Sequence, residues 1–359
     1  MRIILLSFLS CFAFVSQAQQ GLEGIIVEKY YVSDEADSLD ADENFAVYPL
    51  GIGTVTYRVY VDLLPGYKFI QMFGSPEHPL SISTTTSFYN DPNYGFAVYT
   101  GTSQNNTKKN TTLIDSYLTV GGVASGLMGV LKTEDTDGSI GNLQGILANT
   151  DPSVGAPITG ANGVDGLMPG APILPNTLGV AGALDVFDQT AGSEFLVDNG
   201  TIAALGGVEG VTPSNHVLIG QFTTDGVLSF KLNVQIATPV DGESQIYVAE
   251  NPGPNEIQLE SLIYTSPEIV SVKEVTSNVL NNQFVVYPNP SEGIISIRNN
   301  AGTFEKCNIS IIDMAGKQVL VSNGYVQGAA IDASQLSSGI YTVRIDAANC
   351  SEVQRLIIK

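Results

Sequence analysis

Tryptophan is absent from the 359 residues, and histidine occurs only twice. Cysteine is confined to Cys11, Cys307 and Cys350. Each shortage excludes a class of chemistry. Residues 19–268 hold no cysteine, which removes thiol nucleophiles and thiolate metal sites from that region. His78 and His216 have no HxxxH-type ligand spacing, and no G-x-S-x-G elbow supplies a nucleophile for a Ser-His-Asp triad. His78 reads as a turn residue within Pro76-Glu77-His78-Pro79, and His216 as the residue before a strand. Without tryptophan, a sugar cleft would have to stack on tyrosine. Acidic residues are plentiful, but nothing singles out a glycosidase pair. No glycine-rich loop follows a strand and opens a helix, so no nucleotide cofactor is expected. No segment past the leader reaches the ~18 uninterrupted apolar residues of a membrane span.

Positive charge is also scarce. Fifteen lysines and arginines face 36 aspartates and glutamates, a net charge of −21. Residues 284–359 carry six basic and six acidic side chains, so the whole excess belongs to residues 1–283. Such a surface repels nucleic acid and anionic membranes and favours solubility. At the front, Arg2 precedes the apolar run Ile3 to Val15, and Ser16-Gln17-Ala18 offers small residues for signal peptidase. Residues 1–18 read as a signal peptide cleaved after Ala18. A lipoprotein signal at Cys11 fits poorly, because Phe8-Leu9-Ser10 is a weak lipobox and the apolar run continues beyond it.

Residues 19–268 read as one large β-sandwich-like domain with long Gly/Pro-rich loops, joined by a linker at 269–283 to a small module at 284–359. In Val55 to Leu63, the residues Val55, Tyr57, Val59, Val61 and Leu63 share one face, and Thr56, Arg58, Tyr60 and Asp62 the other. Leu228 to Ile236 alternates equally well. Asp225-Gly226 links it to Val217–Thr223, which predicts a hairpin. Further strands are expected at Tyr67–Phe73, Leu80–Phe88, Ser116–Val120, Gln245–Ala249 and Glu256–Tyr264. The one helical candidate, Ile140–Ala148, is weakened by its glycines. The chain is therefore expected to be all-β.

Residues 121–215 are rich in glycine, proline and small side chains, with turn signals at Asn162-Gly163, Asp165-Gly166, Pro169-Gly170 and Asn199-Gly200. Long ordered loops are expected there, with short strands at Leu184–Phe187 and Phe195–Val197. Within them, Asp135 and Asp137 of Glu134-Asp135-Thr136-Asp137-Gly138 place alternate carboxylates before a glycine turn, a weak calcium signal. The twelfth-position acid of an EF-hand is missing. A second acidic cluster comprises Asp34, Glu35, Asp37, Asp40, Asp42 and Glu43. Both clusters read equally as solvated acidic loops.

The last 76 residues form a distinct module. It opens with Tyr287-Pro288-Asn289-Pro290, whose prolines suit a strand edge or junction, and Gly293 allows a turn. Ile295 and Ile297 alternate with polar residues. Ile309 and Ile311 share a face, and Asp313 to Gly316 has hairpin chemistry before Lys317. Gly339-Ile340-Tyr341 starts a strand that continues through Val343 and Ile345, and Val353 to Ile358 forms the last strand. Short strands at this spacing indicate a small Ig-like antiparallel sandwich. Cys307 and Cys350 each lie just before a predicted strand. They pair in an oxidising periplasm or remain two thiols on separate loops.

These pieces, in this order and at this end of the sequence, resemble the type A C-terminal sorting domain of the Bacteroidetes type IX secretion system. The resemblance implies passage through the periplasm, recognition of the folded label by an outer-membrane translocon and removal by a sortase-like peptidase. Release, or attachment to surface lipopolysaccharide, would follow. Asp37-Ser38-Leu39 resembles the Asp-Ser/Thr-apolar site of Bacteroidetes O-glycosylation, which would place a glycan on Ser38. Residues 56–63, 72–90 and 215–236 are similar to an uncharacterised secreted Bacteroidetes module. On this reading the cargo is a non-enzymatic binding, adhesion or structural surface module. The alternative is a secreted hydrolase acting on polysaccharide or protein.

Overall fold

The computed structural model describes residues 20–43, 50–91, 93–108, 111–137, 147–148, 151–158, 163–188, 192–267, 284–299, 306–313, 317–347 and 350–359. The cleavage site at Ala18, most of the helical candidate, Gly138, the linker and Gly316 lie outside these residues. The chain divides into two compact units, Met1–Ile269 and Val270–Lys359. The all-β expectation holds for both.

In the first unit, Leu22–Val32, Val55–Leu63, His216–Thr224 and Tyr117–Leu118 form an antiparallel sheet in that order. Two further sheets lie across its apolar face. One runs Glu194–Val197, Leu80–Thr84, Leu228–Lys231, Ile263–Thr265. The other has six strands, in the order Glu256–Gln258, Ser244–Val248, Val234–Ala237, Lys68–Gly74, Gly200–Val208, Asn176–Leu178. The odd-numbered face of Val55–Leu63 supplies Val55, Tyr57, Val59, Val61 and Leu63 to the shared core, against Phe69, Met72, Ile82 and Phe230. Each such side chain contributes about 1.5–3 kcal/mol on burial.

The opposite face of the same sheet is covered too. Tyr30, Tyr60 and Leu218 pack beneath Tyr89, Leu113, Ile114, Val123, Leu127 and Leu167, which come from the long connections. Thr56, Arg58 and Tyr60, the polar side of an alternating strand, are therefore fully buried. The first unit is thus a sandwich with a third layer built of loop. A small sheet of Gly122–Ala124, Leu127–Gly129 and Leu167–Pro169 stiffens that layer.

Several expectations need correction. Val217–Thr223 and Leu228–Ile236 do not pair as a hairpin. His216–Thr224 already has Val55–Leu63 on one side and Tyr117–Leu118 on the other, so no edge is open. Asp225-Gly226 instead carries the chain across to the facing layer, and Thr224 Oγ1 pins the crossing to Thr84 Oγ1 at 2.6 Å and Thr86 Oγ1 at 3.1 Å. Leu228–Ile236 splits into Leu228–Lys231 and Val234–Ala237, which belong to different sheets. Its apolar alternation survives the break, because Leu228, Phe230, Leu232, Val234 and Ile236 are all buried in one core. Leu184–Phe187 is a 3-10 turn rather than a strand. Ser244–Val248 and Glu256–Gln258 run parallel.

One helix, Glu35–Glu43, went unread in the sequence. It has no apolar stripe, but Asp34-Glu35-Ala36-Asp37 is a capping box. Asp34 Oδ1 accepts the N–H groups of Ala36 at 2.8 Å and Asp37 at 3.1 Å, and Asp37 Oδ2 accepts that of Asp34 at 2.8 Å. Acidic side chains in the first turn favour the helix dipole.

The second unit is a two-sheet sandwich. Phe284–Tyr287, Ile294–Asn299 and Ile331–Asp332 face Gln318–Tyr325, Cys307–Ile312, Gly339–Ala347 and Cys350–Ile358. Ile295, Ile297, Ile309, Ile311, Val343 and Ile345 fill the space between.

Candidate functional site

Buried charge organises the loop layer of the first unit. Arg58 stands mid-strand with no exposed surface. Its Nε donates to Gln221 Oε1 at 2.8 Å, its Nη1 donates to the Gly166 carbonyl at 2.9 Å, and its guanidinium lies 3.6 Å from the centre of the Tyr30 ring. Tyr30 Oη donates to Asp165 O at 2.6 Å, and Tyr60 Oη to Val130 O at 2.8 Å. Lys132 Nζ donates to Tyr30 O at 2.6 Å, and burial pushes its ammonium down to about 8. Glu28 Oε1 accepts the Lys132 N–H at 2.8 Å, and burial raises the Glu28 carboxyl above its usual range. Three of these bonds, to the carbonyls of Gly166, Asp165 and Val130, tie loop backbone to sheet side chains. A buried charge left unpaired costs several kcal/mol, and the Gly166 carbonyl and the Tyr30 ring offset part of that cost for Arg58, whose Nη2 has no hydrogen-bond partner among the described residues.

Asp135 belongs to the same staple. Its Oδ2 accepts the N–H groups of Asp165 at 2.8 Å and Gly166 at 2.9 Å. Asp137 is exposed two residues on. Among the described residues no three His, Cys, Asp or Glu side chains converge as a metal-binding group. Asp135 Oδ1 is buried with no hydrogen-bond partner among the described residues.

The two histidines also join elements. His78 Nε2 lies 2.9 Å from Glu256 Oε2, which closes the 75–78 turn on the 253–256 turn. His216 lies between Asp62 Oδ1 at 3.2 Å and Glu134 Oε2 at 3.1 Å, linking strand to loop. Ser38 lies in the Glu35–Glu43 helix, half-buried. Its neighbour Asp37 is buried, with Tyr31 Oη donating to it at 2.8 Å, and burial pushes the Asp37 carboxyl up to about 7.

A second arrangement lies on the open face of the six-stranded sheet. Thr201 Oγ1 donates to Gln71 Oε1 at 2.7 Å, Gln71 Nε2 to Gln235 Oε1 at 2.7 Å, and Gln235 Nε2 to Ser244 Oγ at 2.9 Å. The result is one directional ladder of neutral side chains across four strands. Sequence reasoning missed it, because it exists only once the register Ala203–Gln71–Gln235–Ile246 is known.

In the second unit the opening motif meets the last strand. The Tyr287–Pro288 and Asn289–Pro290 bonds are cis. Proline has no N–H to offer a strand edge, and the Asn289 carboxamide does the pairing instead. Its Nδ2 donates to Arg355 O, and its Oδ1 accepts the Ile357 N–H at 2.9 Å. Ser291 N–H then donates to Ile357 O at 2.8 Å, and Lys359 N–H to Ser291 O at 2.9 Å. Gly293 has φ 115°, and an added Cβ would lie 2.8 Å from Ser334 Cα, so only glycine fits. Asp313 N–H donates to Lys317 O at 2.9 Å, as hairpin chemistry requires. Gly339 opens its strand, and Tyr341 Oη donates to Ser337 O at 2.8 Å, a tyrosine corner.

Of the two readings of Cys307 and Cys350, the disulfide is the one that the structure contradicts. Cys307 pairs with Ala347, and Ala347 with Cys350, so a whole strand lies between the two cysteines. Two strand spacings put their Cα atoms about 10 Å apart, beyond disulfide reach. Cys307 is buried and forms no disulfide.

No curated protein matches the chain. Among solved structures, one titled "Biofilm associated protein - BSP domain" aligns over 94% of this chain at 9% identity and a TM-score of 0.18. The alignment covers 52% of that protein, so the chain spans about half its length. A family model described as "Secretion system C-terminal sorting domain" matches residues 285–359. Residues 285–359 are therefore a type IX secretion sorting domain, and the chain is exported through the periplasm to the cell surface or medium.

Proposed function

We propose that the first unit is a non-enzymatic binding or adhesion module, delivered by its sorting domain and displayed on the cell or released. The observation that carries this reading is how the ionisable groups are employed. Arg58, Lys132, Asp135 and Asp165 hold loop backbone in place, and both histidines bridge structural elements. Chemistry needs such groups free to meet a substrate, whereas a fixed loop surface on a rigid sandwich suits recognition. The type IX translocon is its first partner. A sortase-like peptidase and surface lipopolysaccharide complete the route on this proposal.

The test has two arms. Purified protein incubated with glycan and peptide panels should release no product, and host cells lacking the gene should attach less well to surfaces. Turnover of any panel member would establish a secreted hydrolase instead.

A further inference from the structure

The first unit carries the chain's excess of negative charge, yet the side chains that cross the open face of its six-stranded sheet are neutral. Along it run Gln71, Gln235, Thr201 and Ser244, with Phe73 and Leu178 in the adjoining row. Two ion pairs lie at its rim: Glu256 with His78 at 2.9 Å, and Lys68 with Glu209 at 3.5 Å. The Thr201–Gln71–Gln235–Ser244 ladder crosses four strands, about 15 Å at the usual strand spacing.

Each glutamine amide spends one N–H and one lone pair within the ladder. Each retains one N–H and one lone pair with no partner among the described residues. The amides cannot rotate without breaking the ladder, so these outward groups are held in place in advance, and little ordering entropy remains to be lost on binding. The pyranose repeat of an extended glycan is close to the strand spacing. Phe73 and the Leu178 side chain, 73% exposed, supply apolar contact for sugar faces beside the ladder. A stable protein interface would need an apolar centre and a polar rim, and here the polar groups are central. The chain's net charge of −21 disfavours anionic polymers.

We infer that this face binds a neutral, extended polysaccharide along the Gln71–Gln235 ladder. The inference rests on the binding-module reading and names its ligand class.

The test is affinity electrophoresis of the full chain in native gels containing hydroxyethylcellulose, a soluble β-1,3-glucan or, as the acidic comparison, alginate. A neutral glycan should retard the protein independently of salt, and alginate should not. Gln71→Glu should weaken retardation at least about tenfold, because the added charge is desolvated on binding. Asn176→Asp, at the exposed edge of the same face, should weaken it as well, and thermal melts of both variants report folding. No retardation by either neutral glycan, or retardation unchanged in both variants, would overturn the inference. So would a dimer by light scattering that Gln71→Glu dissolves, since the occupant would then be a second copy. Cell attachment that persists in both variants without glycan retention drops the ladder proposal and keeps the binding module. Release of sugar products drops both.

Discussion

Gly166 is where the loop layer meets the buried arginine, and replacing it with alanine tests the staple directly. Its φ is +70°, a conformation in which a Cβ costs about 1–2 kcal/mol. The added atom would lie 2.6 Å from Arg58 Nη1, 3.0 Å from Val130 O and 3.2 Å from Tyr30 Cε2. An exposed arginine would swing away. Arg58 has no surface to move to, and its Nη1 bond to Gly166 O is lost if it shifts. Overpacking adds about 1–3 kcal/mol, and a lost charge-assisted hydrogen bond about 1.5–3 kcal/mol. These contributions overlap, so Gly166→Ala should cost about 4 kcal/mol. Gly242 is the internal comparison: its φ is +81° with nothing within 4 Å of an added Cβ. Gly242→Ala should cost only the backbone share, about 1–2 kcal/mol. Urea unfolding followed by tyrosine near-ultraviolet circular dichroism measures both. Equal costs for the two variants would mean that Arg58 does not hold the loop.

Asp37 predicts a pH effect. Its carboxyl is raised from an ordinary 3.8 to about 7, chiefly by burial, so the folded chain holds that proton more tightly than the unfolded chain. Its contribution is fully present below about pH 4 and is lost as the pH climbs towards 7, by at most about 4 kcal/mol. Asp37→Asn keeps the capping acceptor and should flatten the fall in melting temperature between pH 4.5 and 7.5. An unchanged slope would place Asp37 in solvent. Asn289→Ala removes two bonds to the last strand and should cost about 1–2 kcal/mol, seen as faster amide exchange at Ile357. Gly293→Ala forces Cβ against the Ser334 backbone and should unfold the sorting domain, leaving protein in the periplasm by fractionation. Normal export of that variant would separate sorting from the fold.

The sorting domain was legible because its signals are local: a proline pair, a hairpin turn and alternating isoleucines in one short stretch. Val55–Leu63 was legible for the same reason, and its strand bounds match the structure. Asp225-Gly226 announced a turn but not a partner, since the free edges of a sheet depend on distant strands. The Glu35–Glu43 helix was written in a capping box without an apolar stripe, and periodicity cannot find that. Arg58 and Tyr60 looked solvent-facing because they alternate with core residues. Only the third layer, folded back from residues 89–167, buries them. The Gln71–Gln235 ladder needs the register of four strands and has no trace in any single one.

The central claim is that the sorting domain carries the first unit out through the periplasm to the cell surface or medium. Mass spectrometry of the protein from the medium and outer surface of its native host tests it most directly. The account predicts a mature species that begins at Gln19 and ends before Tyr287, with any glycan on Ser38 or attached lipopolysaccharide visible in its mass. An intact chain reaching Lys359 and held inside the envelope would contradict it.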